Sequence, residues 1–424
     1  MIQLIRGFKD ILPGEIEIWQ HIETVARSLF EDFNFREIRL PVLEHTELFA
    51  RAIGGDTDIV EKEMYSFPDS KGNPISMRPE ATAGIVRSYI QHKFYAVDPV
   101  QKFYFIGPIF RRERPQKGRY RQFYQINAEI FGVGSPYADV QLIHMLRCLF
   151  DRLSVGDTTL VINSIGCPEC RPTYKKTLLK ELNALSDHLC SDCLRRRDSN
   201  PLRVLDCKVP TCKEATKDVA SMLNHLCPAC VDHFDHVKSG LKGLDIDFVV
   251  DSRLVRGLDY YTRTVFEMKT TRLGAQDAVV GGGRYDVLVE MLGGPSQPAT
   301  GFAIGFDRLV ELMEQDSEDY GSTPDLFIAT LGESSQENAV RWSCDLGRAG
   351  VRTEMDLSGR SLKSMMKRAN RLGAAYVLIA GDKEFEEGEA ILRDMSTKEQ
   401  FQIPMSDLVE SIRERIRPVS LGRS

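Results

Sequence analysis

No run of apolar residues in this 424-residue chain approaches the ~18 that a membrane helix needs. Two phosphate-binding signatures are missing as well. There is no GxGxxG dinucleotide loop and no GK[ST] loop, so any nucleotide must be held by another architecture. Nor is there a surplus of basic charge. With 55 Lys and Arg against 61 Asp and Glu, the formal charge is −6, which excludes a histone-like coating of polyanions and confines any nucleic-acid contact to local patches. The opening MIQLIRGFKDILPGE is too short in its apolar part for a secretory core, and a cytoplasmic protein is expected. At 42% hydrophobic and 27% charged residues, the chain has the composition of a soluble globular protein of two to four domains.

The basic charge that is present concentrates in one place. From Arg111 to Arg121 there are six Arg or Lys and one acid, Glu113, within the stretch FRRERPQKGRYRQFYQINAEIFG from Phe110 to Gly132. Pro115 and Gly118 mark a turn, and beyond it Tyr124, Ile126, Ala128 and Ile130 alternate with Gln125, Asn127 and Glu129. A β-hairpin is predicted, with one apolar face for a core and one polar face for a cavity. Its arginine-rich tip fits phosphate oxygens, although a solvated tip is the alternative.

Around this hairpin the pattern is mixed. A helix through Trp19, Ile22, Ala26, Leu29 and Phe33 precedes a strand from Phe35 to Leu40 that Pro41 breaks. Ile75 to Arg78 reads as a strand turning into a helix at Pro79-Glu80-Ala81-Thr82. Thr82 is placed to cap that helix, and Glu80 is exposed, either to a ligand cation or to solvent. After Gly132 come a periodic helix through Val140, Ile143, Leu146 and Leu149, and a strand from Thr158 to Asn163. Further on, LVRGLDYYTRTVFEMK sets Arg256 beside Asp259, Tyr260 and Tyr261. VVGGGRYDVL brings three successive glycines against something, and ATGFAIGFDRLVELM leads small residues into a helix. Arg308 near that helix start opposes the helix dipole and is better explained by an anionic ligand.

The segment between is different in kind. Residues 165–243 are rich in charge and cysteine and interrupt the β-rich pattern, which makes them a helical insertion. Eight of the ten cysteines fall there, as Cys167 with Cys170, Cys190 with Cys193, Cys207 with Cys212, and Cys227 with Cys230. Three CxxC pairs and one wider pair are enough for two tetrahedral thiolate sites for structural zinc, less well for an iron–sulfur cluster; a helical domain that needs no ion is the alternative. Cys148 and Cys344 sit in apolar helical patterns and are expected in the core. An acidic, then Gly-Ser-Thr-Pro, linker at 314–324 introduces strand and helix in alternation, a pattern that predicts a parallel sheet with an edge strand at 391–395 and a last helix. Lys363, Lys367, Arg368 and Arg371 share one helix flank there, either solvated or an RNA-phosphate patch.

Taken together, these motifs resemble the class II aminoacyl-tRNA synthetases, and among them the histidyl-tRNA synthetase family. FRRERPQKGRYRQF is similar to that class's motif 2, GFAIGFDRL to motif 3, and the strand and proline around Pro41 to motif 1, while LVRGLDYY and GGGRYD resemble the two histidine-specific signatures and MRPEAT the rest of the amino-acid pocket. The resemblance implies an α+β catalytic core with a mixed, mainly antiparallel sheet over 1–164 and 244–318, a cysteine-rich helical insertion over 165–243, and an α/β anticodon-binding domain over 325–424. It implies histidine, ATP with Mg2+ and tRNA(His) as ligands, and a homodimer. It assigns Arg111, Glu113 and Arg308 to ATP, with Arg256 stabilising charge at the α-phosphate. Histidine falls to Glu80, Thr82, Gln125, Glu129, Tyr260 and Tyr261 together with Arg256, and the tRNA acceptor end to Arg114, Gln116 and Arg119. Possible structural zinc rests on cysteine spacing alone, since the cysteines are outside the family's defining pattern. A paralogue in the same fold, the non-charging regulatory subunit of ATP phosphoribosyltransferase, is the alternative.

Overall fold

The computed structural model describes residues 2–55, 57–114, 118–273, 277–314, 320–321 and 323–416, apart from the side chains of residues 333 and 334. Gln116 and most of the expected linker lie outside them. The chain divides into two compact units, Met1–Asp319 and Tyr320–Ser424. No helix among the described residues is long and apolar enough to cross a membrane.

The first unit is built on an eight-stranded sheet. Its order is Arg36–Glu37, Gln101–Phe110, Gln122–Phe131, Ala299–Gly305, Ala278–Arg284, Thr262–Lys269, Thr159–Ser164, Val249–Val250. The inner pairs are antiparallel and the two outermost are parallel, a mixed and mainly antiparallel sheet. The predicted hairpin supplies its second and third strands, with Gln101–Phe110 and Gln122–Phe131 paired over their full length. Helices Ile16–Asp32, Thr82–Gln91, Tyr137–Arg152 and Phe306–Glu314 pack against the sheet, and their buried apolar stripes explain why they form.

Two local expectations need correction. The small residues of Ala299–Gly305 form a strand of their own, and the helix begins only at Phe306. The absence of bulk is needed across the sheet, because a side chain at Gly301 would collide with the carboxylate of Glu129 on the neighbouring strand. Thr82 does not cap its helix. Glu80 does, being buried and not exposed, with its carboxylate accepting the backbone N–H of Thr82 at 2.6 Å and of Ala83 at 2.8 Å.

The insertion is helical, with helices Arg171–Ala184, Ser191–Ser199, Pro210–Ala215 and Pro228–Gly243 joined by short 3-10 turns. It has a small core of its own in which Tyr174, Leu178, Leu182 and Val204 pack beside five buried cysteines. Its last helix is joined to the sheet by a buried ionic network. Arg284, fully buried, donates to Asp139 at 2.8 Å and to the carbonyls of Val133 and Ser135 at 2.9 Å, while the ring of His233 lies 2.9 Å from the other Asp139 oxygen.

The second unit has a five-stranded sheet ordered Thr353–Met355, Leu326–Thr330, Tyr376–Ala380, Glu389–Asp394, Gln400–Pro404. The first three are parallel, as the alternation predicts. The last two are antiparallel, and Gln400–Pro404 is a strand with no counterpart in the sequence reading. A turn with Lys398 at φ +69° makes the hairpin possible, closed by the Asp394 carboxylate accepting the amides of Ser396 and Thr397. Cys344 is exposed, contrary to expectation. On helix Glu333–Arg348 the core stripe runs through Ala339, Trp342 and Leu346, and a residue two beyond Trp342 turns to the opposite side. The basic flank is not uniformly solvated either, since Arg368 donates to the Met355 carbonyl at 2.8 Å and lies 5.5 Å from the Phe327 ring.

The Arg284 network sets a stability expectation. Burial alone would push the Asp139 carboxyl up, but Arg284 and His233 outweigh it and hold its pKa below the ordinary value. A depressed carboxylate contributes stability that is present above its unfolded value near 3.8 and lost as pH falls through the folded one. Asp139→Ala, which strands the buried guanidinium, is expected to cost about 3–5 kcal/mol near pH 7. Urea unfolding followed by circular dichroism measures it, and a loss under about 1 kcal/mol would show that solvent reaches Arg284.

Candidate active site

The polar face of Gln122–Phe131 floors a cavity of about 790 Å³ that is lined from all sides of the first unit. Strand alternation is the local cause. Gln125, Asn127 and Glu129 point one way, into the cavity, while Ile126, Ala128 and Ile130 are buried.

At one end the cavity is closed and aromatic. Glu129 is 1% exposed, and its two oxygens accept from the Thr82 hydroxyl at 2.8 Å and the Tyr285 hydroxyl at 2.5 Å. The ring centroids of Tyr260 and Tyr261 lie 4.7 Å apart, and that of Tyr285 lies 5.6 Å from Tyr260. Burial pushes the Glu129 carboxyl up to about 8, against the pull of the Tyr285 and Thr82 hydrogen bonds, and the nearby Glu80 pushes it the same way. At neutral pH this carboxyl therefore holds its proton for much of the time.

At the other end the cavity is cationic. Arg111 donates to the Pro79 carbonyl at 2.7 Å and lies 5.3 Å from the Phe123 ring. Arg119 pairs with Glu113 at 3.1 Å, and Arg308 donates to the Ala278 carbonyl across the same space. Burial pushes the Arg308 guanidinium down, and the neighbouring Arg119 adds to that effect.

Between the ends lies Arg256, paired with Glu267 and 5.7 Å from the Tyr261 ring. The purpose of the glycine triplet is visible here. A Cβ on Gly281 would occupy the place of the Arg256 guanidinium, one on Gly282 would meet the Phe266 ring and the Gly301 carbonyl, and Gly283 has φ +153°. The backbone approaches an arginine of this chain. Gln125 Oε1, Asn127 Oδ1 and Arg256 Nε are buried there with no hydrogen-bond partner among the described residues, a cost of about 1–3 kcal/mol for each group that a ligand would relieve.

Of the expected ATP and histidine residues, Arg111, Glu113, Arg308, Glu80, Thr82, Gln125, Glu129, Arg256, Tyr260 and Tyr261 all line this one cavity. Arg119 lines it too, on the side of Arg308, while Arg114 is exposed and Gln116 is outside the described residues. Tyr285 and Glu267 were missed by the sequence reading. Tyr285 follows Arg284 directly in the GGGRYD signature, and Glu267 falls on the cavity face of its strand; period-2 alternation carried from Val265 would have found it.

The eight insertion cysteines resolve into two groups of four. Cys167, Cys170, Cys227 and Cys230 form one, and Cys190, Cys193, Cys207 and Cys212 the other, each with all sulfurs within 4.8 Å of one another. Neither the pairing of the first CxxC with the last nor the enclosure of the other four follows from spacing. Cys190 and Cys207 also line the cavity.

A family model described as histidyl-tRNA synthetase matches residues 7–309, and one described as anticodon binding domain matches 325–415. A histidine–tRNA ligase of Desulfatibacillum aliphaticivorans is 60% identical over 97% of this chain and 98% of its own length. One from Geobacter sulfurreducens is 53% identical over 96% of this chain and 98% of its own. The crystal structure of the apo S. aureus histidyl-tRNA synthetase matches with a TM-score of 0.83 at 34% identity, covering 97% of this chain and 100% of that one. On a family match spanning most of its length and on relatives this similar end to end, the chain belongs to the histidyl-tRNA synthetase family.

Proposed function

We propose that the chain is a histidine–tRNA ligase, which joins histidine to the α-phosphate of ATP with release of pyrophosphate and then passes the histidyl group to the 3′ end of tRNA(His). The observation that carries this reading is one cavity with a buried carboxyl among three tyrosines at one end, three guanidiniums at the other and Arg256 between them. A substrate carboxylate oxygen forms a bond to the α-phosphorus while the bond from that phosphorus to the β-bridging oxygen breaks. Such a displacement needs positioning and charge stabilisation more than proton transfer.

ATP enters as its Mg2+ complex. Arg111 is assigned to the α-phosphate, Arg308 to the far end of the triphosphate and Glu113 to the adenine side, with Phe123 beneath. Arg256 meets the charge that develops at the α-phosphate. Gln125 and Asn127 offer their unpaired oxygens to the substrate ammonium, and Glu80 acts by fixing Thr82, which in turn fixes Glu129. Glu129 and Tyr261 take the imidazole nitrogens, with Tyr260 and Tyr285 walling the ring. Arg114, Gln116 and Arg119 are assigned to the tRNA acceptor end, and the second unit to the anticodon. A homodimer belongs to the same reading, supported by exposed Val42, Leu43 and Phe67 on the small sheet of strands Leu43–His45, Pro74–Met77 and Ser66–Pro68. The regulatory-subunit alternative has less support, since Arg111, Arg256, Arg308 and the second unit are all present.

Both cysteine groups fit structural zinc. A tetrahedral ion with Zn–S near 2.3 Å sets sulfurs about 3.8 Å apart. Here Cys167 lies 3.5 Å from Cys170 and 3.9 Å from Cys227, and Cys190 lies 3.9 Å from Cys207. The Cys227 amide donates to the Cys170 sulfur at 3.1 Å and the Cys190 amide to the Cys212 sulfur at 3.0 Å, contacts that favour thiolate. Bound zinc would neutralise and crosslink four thiolates in each group.

Histidine-dependent ATP–pyrophosphate exchange followed by charging of tRNA(His) tests the activity, and a chain inert in exchange with all twenty amino acids would overturn it. Arg256→Ala is expected to lower adenylate formation about 10²-fold. Gly281→Ala, by displacing the guanidinium alone, should lower it by at least about tenfold while the melting temperature stays near wild type. Equal activity in Gly281→Ala would mean that Arg256 acts from another position.

Glu129→Ala should raise the histidine KM and weaken rejection of other amino acids, with ATP binding by calorimetry near normal. The raised carboxyl also fixes a pH dependence. Its folded pKa of about 8 exceeds its ordinary value of 4.5, so its contribution to stability is complete below about pH 4.5 and lost as pH rises through 8. Melting curves of wild type and Glu129→Gln should diverge in favour of the variant over that interval; parallel curves would show a carboxylate already ionised.

Protein purified without chelator is expected to hold close to two zinc ions per chain by elemental analysis. Less than about a tenth of an equivalent from zinc-replete cells, with the insertion folded, would remove the zinc reading and leave the enzyme reading untouched.

A further inference from the structure

The segment that carries Arg256, residues 251–261, contains no helix or strand. Its conformation is imposed by its neighbours, and most of the side-chain bonds that impose it come from the insertion. Arg171 donates to the Tyr261 carbonyl, Asn200 donates to Asp259 at 2.8 Å, and Arg203 reaches the Gly257 carbonyl at 3.5 Å. From the sheet, Asn163 donates to the Leu254 carbonyl at 2.9 Å.

One bond set runs in the opposite direction. Arg253, three residues before Arg256, extends its guanidinium into the insertion and donates to the Leu205 carbonyl at 3.3 Å, to the Thr216 hydroxyl at 2.9 Å and to the Thr216 carbonyl. These acceptors bracket two cysteines. Leu205 lies two residues before Cys207, whose amide bonds to Val204, and Thr216 closes the turn that begins at Cys212, its hydroxyl and amide both donating to the Cys212 carbonyl at 2.8 and 3.0 Å. The stretch between the acceptors is short and includes only the six-residue helix Pro210–Ala215. Beyond its packing in the insertion's core, it depends on a crosslink through Cys190 and Cys193 to fix where the two carbonyls point.

We infer that the four-thiolate centre of Cys190, Cys193, Cys207 and Cys212 positions Arg256 for adenylate formation, through Arg253. The inference rests on the zinc reading of that cluster. The centre fixes the carbonyls of Leu205 and Thr216, the planar fork of Arg253 reads their spacing, and the turn Asp251–Leu254 transmits it to Arg256, whose guanidinium must lie flat on Gly281. Arg253 borders the cavity, but its guanidinium is taken up by Leu205 and Thr216, and in this account it is a positioning residue. The other cluster, Cys167, Cys170, Cys227 and Cys230, reaches the same segment only at its far end, where Arg171, next to Cys170, donates to the Tyr261 carbonyl.

The test compares Arg253→Gln, Arg253→Lys, Cys207→Ser and the double variant R253Q/C207S in the full-length protein. Zinc content, melting temperature and histidine-dependent exchange are measured on the same preparations. Arg253→Gln is expected to keep two zinc ions, to lower kcat for exchange about tenfold or more, and to change the histidine KM less than about threefold, with Arg253→Lys recovering part of the loss. Cys207→Ser is expected to hold one zinc and to show the same kcat loss, and the double variant to be no worse than either single one, because both break the same chain of contacts. Should Cys207→Ser fail to fold, removal of the more labile zinc from wild type by a chelator should reproduce the kcat loss, and added zinc should reverse it. Wild-type exchange in Arg253→Gln, or a double variant whose loss is the product of the two singles, would overturn the coupling while leaving the zinc sites standing. Wild-type protein with no bound zinc would overturn both.

Discussion

A guanidinium lying on bare backbone is the constraint from which the first unit can be understood. Arg256 occupies the space where Gly281 would carry a side chain, with Glu267 beside it and the Tyr261 ring 5.7 Å away. To keep that place open, two adjacent strands must give up bulk together. Gly282 yields to the Phe266 ring, Gly283 takes a backbone conformation that L side chains rarely adopt, and Gly301 leaves room for Glu129 one strand further. Glycine in a strand weakens it, by roughly 0.5–1 kcal/mol relative to alanine. Four such positions in the middle of an eight-stranded sheet are explained by the groups they admit, and two of those groups, Arg256 and Glu129, line the cavity.

The stability lost there is recovered at the periphery. Aromatic stacking of Trp19 on Phe306 and of Tyr89 on Phe131 secures the helices that cover the sheet, and the buried Arg284 network joins sheet, helix and insertion without using any group of the cavity. Removing one member of such a network is costly because the remaining charge is stranded. Rigid support around a cavity whose own polar atoms are only partly satisfied is the arrangement expected when those atoms await a ligand.

Much of this was legible in the sequence because two of its signals are local. Alternation from Tyr124 to Ile130 gave the polar floor, and helical periodicity from Val140 to Leu149 gave the covering helix; each follows from a few neighbouring residues. What escaped was set by distant partners. The strand at Ala299–Gly305 looked like an approach to a helix because its small residues answer Glu129 on another strand, and Glu80 looked exposed because the amides it caps are its own helix's while its burial comes from elsewhere. Tyr285 takes its place in the site from Glu129, 156 residues away in sequence, and no local pattern signals it. The cysteine pairing was out of reach for the same reason, since Cys167 and Cys227 are 60 residues apart and only the folded helices bring them together.

The cavity's two ends differ in what they ask of a ligand. Arg308, whose charge burial already disfavours, is held close to the like charges of Arg111 and Arg119, and Glu113 pairs with the latter two. A polyanion placed among them would relieve that crowding, which is what the proposed assignment of this end to the triphosphate draws on. Around Glu129 the opposite holds. A carboxyl that keeps its proton carries no charge to repel or attract, and what it offers a ligand is hydrogen-bond geometry within a wall of three tyrosines. Arg256 stands where the two regimes meet, and its charge is partly answered by Glu267. A group so paired gains little from a neutral neighbour and most from new negative charge, the property that its proposed role in the transition state requires.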